Sequence, residues 1–214
     1  MAAATNPEDA ILAAAREVFV RKGLAGARMA EIADRAGINK ALLHYYFRSK
    51  DLLFQRIFLE AIGLMTPVIQ RSIGGDGDVR EKLNRLVDAY IAVLEANPHV
   101  PVFVMHELST NPDRLANLLE EQTGSQAAVA GFLAQLRREA ASGKIAPVHP
   151  IHLILSALSM LVFPYIARPF VRAIARVPDE AYSQLLAERA PFVKSVLRAA
   201  LSPAPAHAPL KQPS

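Results

Sequence analysis

Between Arg28 and Lys50, in RMAEIADRAGINKALLHYYFRSK, the chain collects donors and rings of the kind that bind phosphates and base edges. Lys40, Ala41, His44 and Tyr45 fall on one side of a short helical stretch with no carboxylate among them, while Leu43 and Phe47 fall on the other. A helix face meant for solvent usually mixes both signs of charge. One cation beside two rings suits contact with phosphate oxygens and the edges of bases.

Other chemistry-bearing pairs are thinner. His106 beside Glu107 would serve as acid and base inside a helical cavity, but no nucleophile, phosphate loop or paired carboxylate accompanies them, so no enzyme is expected. A backbone carbonyl or a water explains that histidine equally well. His149 and His152 are three residues apart, yet Pro150 makes His149 a cap residue and no third ligand stands nearby. No metal and no cofactor are expected. The absence of cysteine excludes a disulfide framework, a thiolate zinc site and a cysteine nucleophile, and it fits a reducing cytoplasm.

Short elements must hold the basic face in place. Met29, Ile32, Ala33 and Ala36 line one side of a first helix, Glu31 and Arg35 lie four apart on its wet side, and Gly37 supplies a turn. Asn39 then caps a second helix, and Ile38 can pack on Leu43 as a hydrophobic staple. Upstream, Asn6-Pro7-Glu8-Asp9 is a strong helix start. Ile11, Leu12, Ala15, Val18 and Phe19 form its core stripe, and Arg21, Lys22 and Gly23 close it. The three helices together can bury Phe19, Ile32, Leu43 and Phe47. By spacing alone such a helix pair also occurs in helical proteins with no DNA role; the one-sided basic and aromatic face favours DNA.

INKALLHYYFRSKDLL, with EIADRAG before it, resembles the DNA-binding signature of the TetR (tetracycline repressor) family of bacterial one-component regulators over about residues 7–56. The resemblance implies a recognition helix at Lys40 to Tyr46 in the major groove and a DNA-contacting set of Arg28, Asn39, Lys40, Ala41, Leu42, His44, Tyr45, Tyr46 and Lys50. Arg28, Tyr45 and Lys50 would lie at backbone phosphates, and Lys40, Leu42, His44 and the backbone near Ala41 at base edges. The chain departs from the family pattern at Arg28, where a Thr or Ser usually caps the first helix, at Ala41 and Leu42, which replace Gly and Thr, and at His44, which replaces Tyr. The apolar pair suits a thymine methyl.

The remaining sequence fits an all-α protein of about nine helices: a DNA-binding domain over 1–56, a helical sensing and dimerisation domain over 57–201, and a disordered Pro/Ala-rich tail over 202–214. Of the formal charge of +4, residues 1–56 carry +3, with nine Lys and Arg against six Asp and Glu. The N-terminus shows no secretory signal. Ile151 to Ala167, the longest apolar run, is too short and too interrupted to span a membrane, so no membrane partner is expected and a cytoplasmic location is. A fourth helix from Ser49 to about Ser72 links the two domains. Met65, Phe103, His106, Glu107, Phe132, Leu136, Ser156, Met160 and Phe163 are the candidate lining for a small hydrophobic inducer, although a plain core has the same composition. The helix from Pro150, apolar all round, must be buried on all sides. The resemblance implies that it and the last helix form a four-helix bundle in a homodimer, with Leu155, Leu158, Tyr182, Leu186, Val193 and Leu197 as candidate interface residues. Two recognition helices would then read a palindromic or pseudo-palindromic operator. Release by ligand makes a repressor the expected mode, an activator of the same fold is the alternative, and a carrier of apolar ligands or an enzyme would leave residues 39–50 unexplained.

Overall fold

In the computed structural model the described residues are 6–98, 100–110, 113 and 126–203, with the side chains of His106, Glu107 and Thr110 outside that set. They form α1 (Pro7–Gly26), α2 (Met29–Ala36), α3 (Lys40–Tyr46), α4 (Lys50–Gly63), α5 (Met65–Ile73), α6 (Val79–Ala96), α7 (Val100–Thr110), α8 (Gln126–Ala141), α9 (Pro150–Ile166), α10 (Arg168–Ala175), α11 (Asp179–Ala187) and α12 (Arg189–Ala200). The fold is all-α, and no strand occurs among the described residues. The expected nine helices become more because two of them break, at Leu64 and at Glu188, and because α10 follows the expected end near Ala167. Asn111 and Pro112 of the expected helix start, the kink at Gly124-Ser125 and most of the tail lie outside the described residues.

The chain divides into two compact units, one of residues 1–67 and 93–123, the other of 68–92 and 124–214. The expected boundary at 56 differs because α4 does not change partners there. Phe54 and Phe58 both meet Phe103 of α7, at 5.0 and 5.9 Å between ring centroids, and Phe54 also meets Phe19 edge-on at 5.1 Å. With Ile11, Val18, Ile32, Leu43 and Leu53, all at 0% exposure, these rings make one continuous core. By length and composition the run Lys50–Ile73 is long and apolar enough to cross a bilayer, which the sequence reading missed because charged residues punctuate it. Its Leu53, Phe54, Ile57, Phe58 and Ala61 are buried in the unit's own core.

The second unit centres on Val79, Leu83, Val87 and Ile91 of α6, spaced four apart, against Phe132 and Leu136 of α8, Leu153, Ala157 and Leu161 of α9 and Val193 and Leu197 of α12. Asp78 and Glu81 cap α6 reciprocally, each side chain accepting the other's backbone N–H at 2.9 Å. Within the single chain α9 is not buried all round: it buries the stripe Leu153, Ala157, Leu161 and Tyr165, and leaves Ile151, Leu155, Leu158 and Phe163 exposed.

Pro164 inside α9 has no N–H, so the carbonyl of Met160 loses its helical donor. Arg189 replaces it, its Nε donating to Met160 O at 3.0 Å, and the Tyr182 hydroxyl donates to the Pro164 carbonyl at 2.7 Å. These two bonds tie α12 and α11 to the defect. Replacing Arg189 by Ala is expected to lower stability by about 1 kcal/mol, the net worth of a part-buried hydrogen bond. The loss should shrink when Pro164→Ala restores the N–H. Urea unfolding of both single variants and the double variant measures the difference, and equal losses in the two backgrounds would refute the assignment.

Candidate nucleic-acid interface

The turn between α2 and α3 is built by local hydrogen bonds that the sequence signals anticipate. Gly37 sits at φ 68°, ψ 27°; its N–H donates to Asp34 O at 3.2 Å and the next N–H, from Ile38, donates to Ala33 O at 3.1 Å. This double closure is a Schellman motif, which needs a left-handed residue and so favours glycine. Asn39 follows as N-cap of α3, its side chain accepting the Leu42 N–H at 2.8 Å. At the start of α2 the cap is absent: Arg28 is the N-cap residue and makes no side-chain cap bond.

Helix α3 buries Leu43 completely and rests Tyr46 against the core, while Lys40, Ala41, His44 and Tyr45 are exposed and Leu42 is half-buried. Tyr45 is 80% exposed and meets Tyr46 edge to face at 5.5 Å. The structure therefore brings Lys40, Ala41, His44 and Tyr45 together on one open face. Asn39 is exposed with its oxygen engaged in the cap. Lys50 lies elsewhere: its Nζ donates to the carbonyls of Ala27 at 3.1 Å and Ala25 at 3.5 Å, pinning the chain that leaves α1.

The charges around this face are sorted. Glu31 and Arg35, four apart on α2, do not pair with each other. Glu31 accepts Lys22 at 2.7 Å and Arg21 at 2.8 Å, both from α1, and Arg35 pairs with Glu17. The Lys22 hydrogen bond, with the nearby charges of Lys22 and Arg21, holds the Glu31 carboxyl below its ordinary value. Arg16 and Arg56 share Glu60. Among the described cations of the first unit, Arg28, Lys40 and Arg48 are the ones left with neither an acidic partner nor, as for Lys50, a carbonyl one, and all three are exposed. Arg48 was missed in the sequence; its signal was its place directly after the basic helix.

The residues expected to line a pocket are divided between the two units. Phe103 lines a cavity in the first unit, Phe132, Leu136 and Met160 belong to the core of the second, and Ser156 and Phe163 are exposed. Met65 is half-buried, and the side chains of His106 and Glu107 lie outside the described residues. Among the described residues no cluster of three or more His, Asp or Glu could hold a metal.

The dimer residues need correction. Tyr182, Leu186, Val193 and Leu197 are between 0 and 5% exposed within the single chain, so they cannot face a partner. On the same helices Leu185, Phe192 and Val196 are exposed, as are Leu155 and Leu158 of α9.

Comparison with known proteins fits this geometry. Residues 11–57 match the model of the bacterial regulatory proteins of the tetR family. The HTH-type transcriptional regulator RutR of Escherichia coli is 31% identical over 160 residues, covering 71% of this chain and 70% of RutR. The HTH-type transcriptional activator FasR of Mycolicibacterium smegmatis is 34% identical over 85 residues, 40% of this chain and 39% of FasR. The crystal structure of FadR from Bacillus subtilis in complex with stearoyl-CoA superposes with a TM-score of 0.60 at 19% identity, covering 91% of this chain and 99% of FadR. With its helix-turn-helix, its all-helical fold and these relatives, the chain belongs to the TetR family of bacterial transcriptional regulators.

Proposed function

We propose that this regulator is a homodimeric repressor that holds a two-fold symmetric DNA operator through α3 of each subunit and releases it when a small hydrophobic ligand binds. The observation that carries the DNA face is the sorting of charge in the first unit: Arg16, Arg21, Lys22, Arg35 and Arg56, on the flanks, are paired with carboxylates, and Arg28, Lys40 and Arg48 are left free for DNA. Arg28, Tyr45 and Arg48 are assigned to the backbone. Lys40 and His44 are assigned to base edges, with Ala41 and Leu42 offering apolar contact to a thymine methyl. Asn39, Tyr46 and Lys50 position α3: one caps it, one wedges it on the core, and one fixes the α1–α2 connection.

Exposed Leu155, Leu158, Leu185, Phe192 and Val196 supply apolar surface for a second copy, in place of the buried residues of the first expectation. Two copies would set the recognition helices about 34–36 Å apart, or a multiple of it. A regulator of this kind works in the cytoplasm, where its DNA lies. FadR is titled in complex with stearoyl-CoA, which supports an apolar effector in this fold, and FasR is named an activator, which makes activation the second reading. An effector can release DNA only if it binds the DNA-free state more tightly.

Binding to a duplex taken from the DNA upstream of its own gene tests the interface. Log affinity is expected to fall linearly with log salt, and Arg28→Ala or Arg48→Ala should each reduce the slope by about 1 per subunit. His44→Ala should change preference among operator variants. A flat salt response would overturn the reading. Arg28→Thr carries two opposed expectations: restoring the missing cap of α2 raises stability by about 0.5–2 kcal/mol, while loss of the cation weakens DNA binding. Urea midpoints and gel shifts read them separately, and a variant that is both more stable and equally tight on DNA would remove Arg28 from the interface.

A further inference from the structure

A cavity of about 470 Å³ lies within the first unit, walled by Val20 of α1, Ile57 of α4, Leu64, and Val100 and Phe103 of α7. Its size falls in the range of small-molecule sites, and its walls are mostly apolar. The charged groups that line it are Arg16 of α1 and Glu60 of α4. They are joined at 2.7 Å, and Glu60 also accepts Arg56 Nε at 2.8 Å from one turn earlier on its own helix. Burial acts to raise the Glu60 carboxyl, but the hydrogen bonds and charges of Arg16 and Arg56 outweigh it, so the group stays ionised.

The two partners differ in what they have left to offer. Both Glu60 oxygens are engaged, one by each arginine. Arg16 has five N–H donors and its Nη2 bond to Glu60 engages one of them, and its side chain is 40% exposed. The site therefore presents spare donors beside an apolar wall. We infer that the α1–α4–α7 cavity is a binding site for an anionic amphiphile, with the Arg16 guanidinium taking its acidic head and the apolar walls its chain.

The site also has a route to DNA, which rests on the ligand-gated reading above; occupancy itself does not depend on that reading. Arg16–Glu60 ties α1 to α4, whereas Arg56–Glu60 ties α4 only to itself. A bidentate head group on Arg16 competes with Glu60 for it, and Glu60 retains Arg56. The cross-helix tie is then lost, and only the one within α4 remains. Leu43 of α3 sits in the core that α1 and α4 enclose, so loosening that tie acts on the seat of the recognition helix.

Dodecanoate, kept below its micellar concentration, is a suitable probe for titration into the full chain without DNA, with dodecanol as its uncharged counterpart. Wild type is expected to bind dodecanoate at least tenfold more tightly than dodecanol. Arg16→Gln should weaken dodecanoate at least tenfold and leave dodecanol unchanged. Gly63 lines the same cavity, and a Cβ there meets no heavy atom within 4 Å, so Gly63→Phe fills space the fold leaves open and should weaken both probes. Circular dichroism of each variant separates lost binding from lost folding. Unchanged dodecanoate binding in folded Arg16→Gln or Gly63→Phe, equal binding of the two probes by wild type, or no binding of dodecanoate would overturn the site. In a parallel gel shift, Glu60→Gln should weaken DNA binding about two- to fivefold without any ligand, because it removes the tie. If wild type binds no DNA at all, the regulator reading fails while the titrations still decide the site.

Discussion

A seven-residue helix cannot hold itself in water, because nucleation costs more than so few hydrogen bonds return. Helix α3 is of that length, and its place comes from two local devices and one tertiary one. The Schellman closure at Gly37 fixes its entry, Asn39 satisfies its first turn, and Leu43 is inserted fully into the α1–α4 core. Its exposed residues thus follow from what lies beneath them. Burying a side chain such as Leu43 is worth about 1.5–3 kcal/mol, comparable with everything else the helix contributes. Whatever moves the core under Leu43 moves the face that carries Lys40, His44 and Tyr45.

Charge follows the same logic. Cross-helix ion pairs on the flanks of the unit brace α1 against α2 and α4, and each is individually weak because it is largely exposed. Their larger effect is on the field they leave. With Glu17, Glu31 and Glu60 committed to cations on the flanks, the positive charge of the first unit is concentrated at the start of α2 and around α3. Lys50 shows how a residue of the right type in the right motif can serve the scaffold, since its ammonium is held by carbonyls at the end of α1.

Local chemistry was readable in the sequence; pairing between helices was not. The caps at Asn6, Asn39 and Ser49, the turn at Gly37 and the missing cap at Arg28 all depend on residues within a few positions, and the structure has each of them. The partners of Glu31 and Arg35 lie on another helix, so spacing of four could not name them. Likewise the stripe from Tyr182 to Leu197 was apolar enough to suit either the chain's own core or a partner. The burial stripe runs on at helical spacing across the break at Glu188, and the half of it assigned to a partner proved to be core. Helix α10 escaped notice because it starts directly after a bend of 68° and follows Pro164. The defect at Pro164 was visible in the sequence, but its repair by Arg189 required the fold.

The central claim is that the exposed face of α3 meets DNA while the paired cations on the flanks do not. Acetylation rates of individual lysines, followed by mass spectrometry with and without a saturating duplex from upstream of the gene, test it residue by residue. Lys40 is predicted to be protected by DNA, while Lys22, paired with Glu31, and Lys194, paired with Asp88 in the second unit, keep their rates. Protection of Lys22 with Lys40 still reacting freely in the bound state would contradict the account.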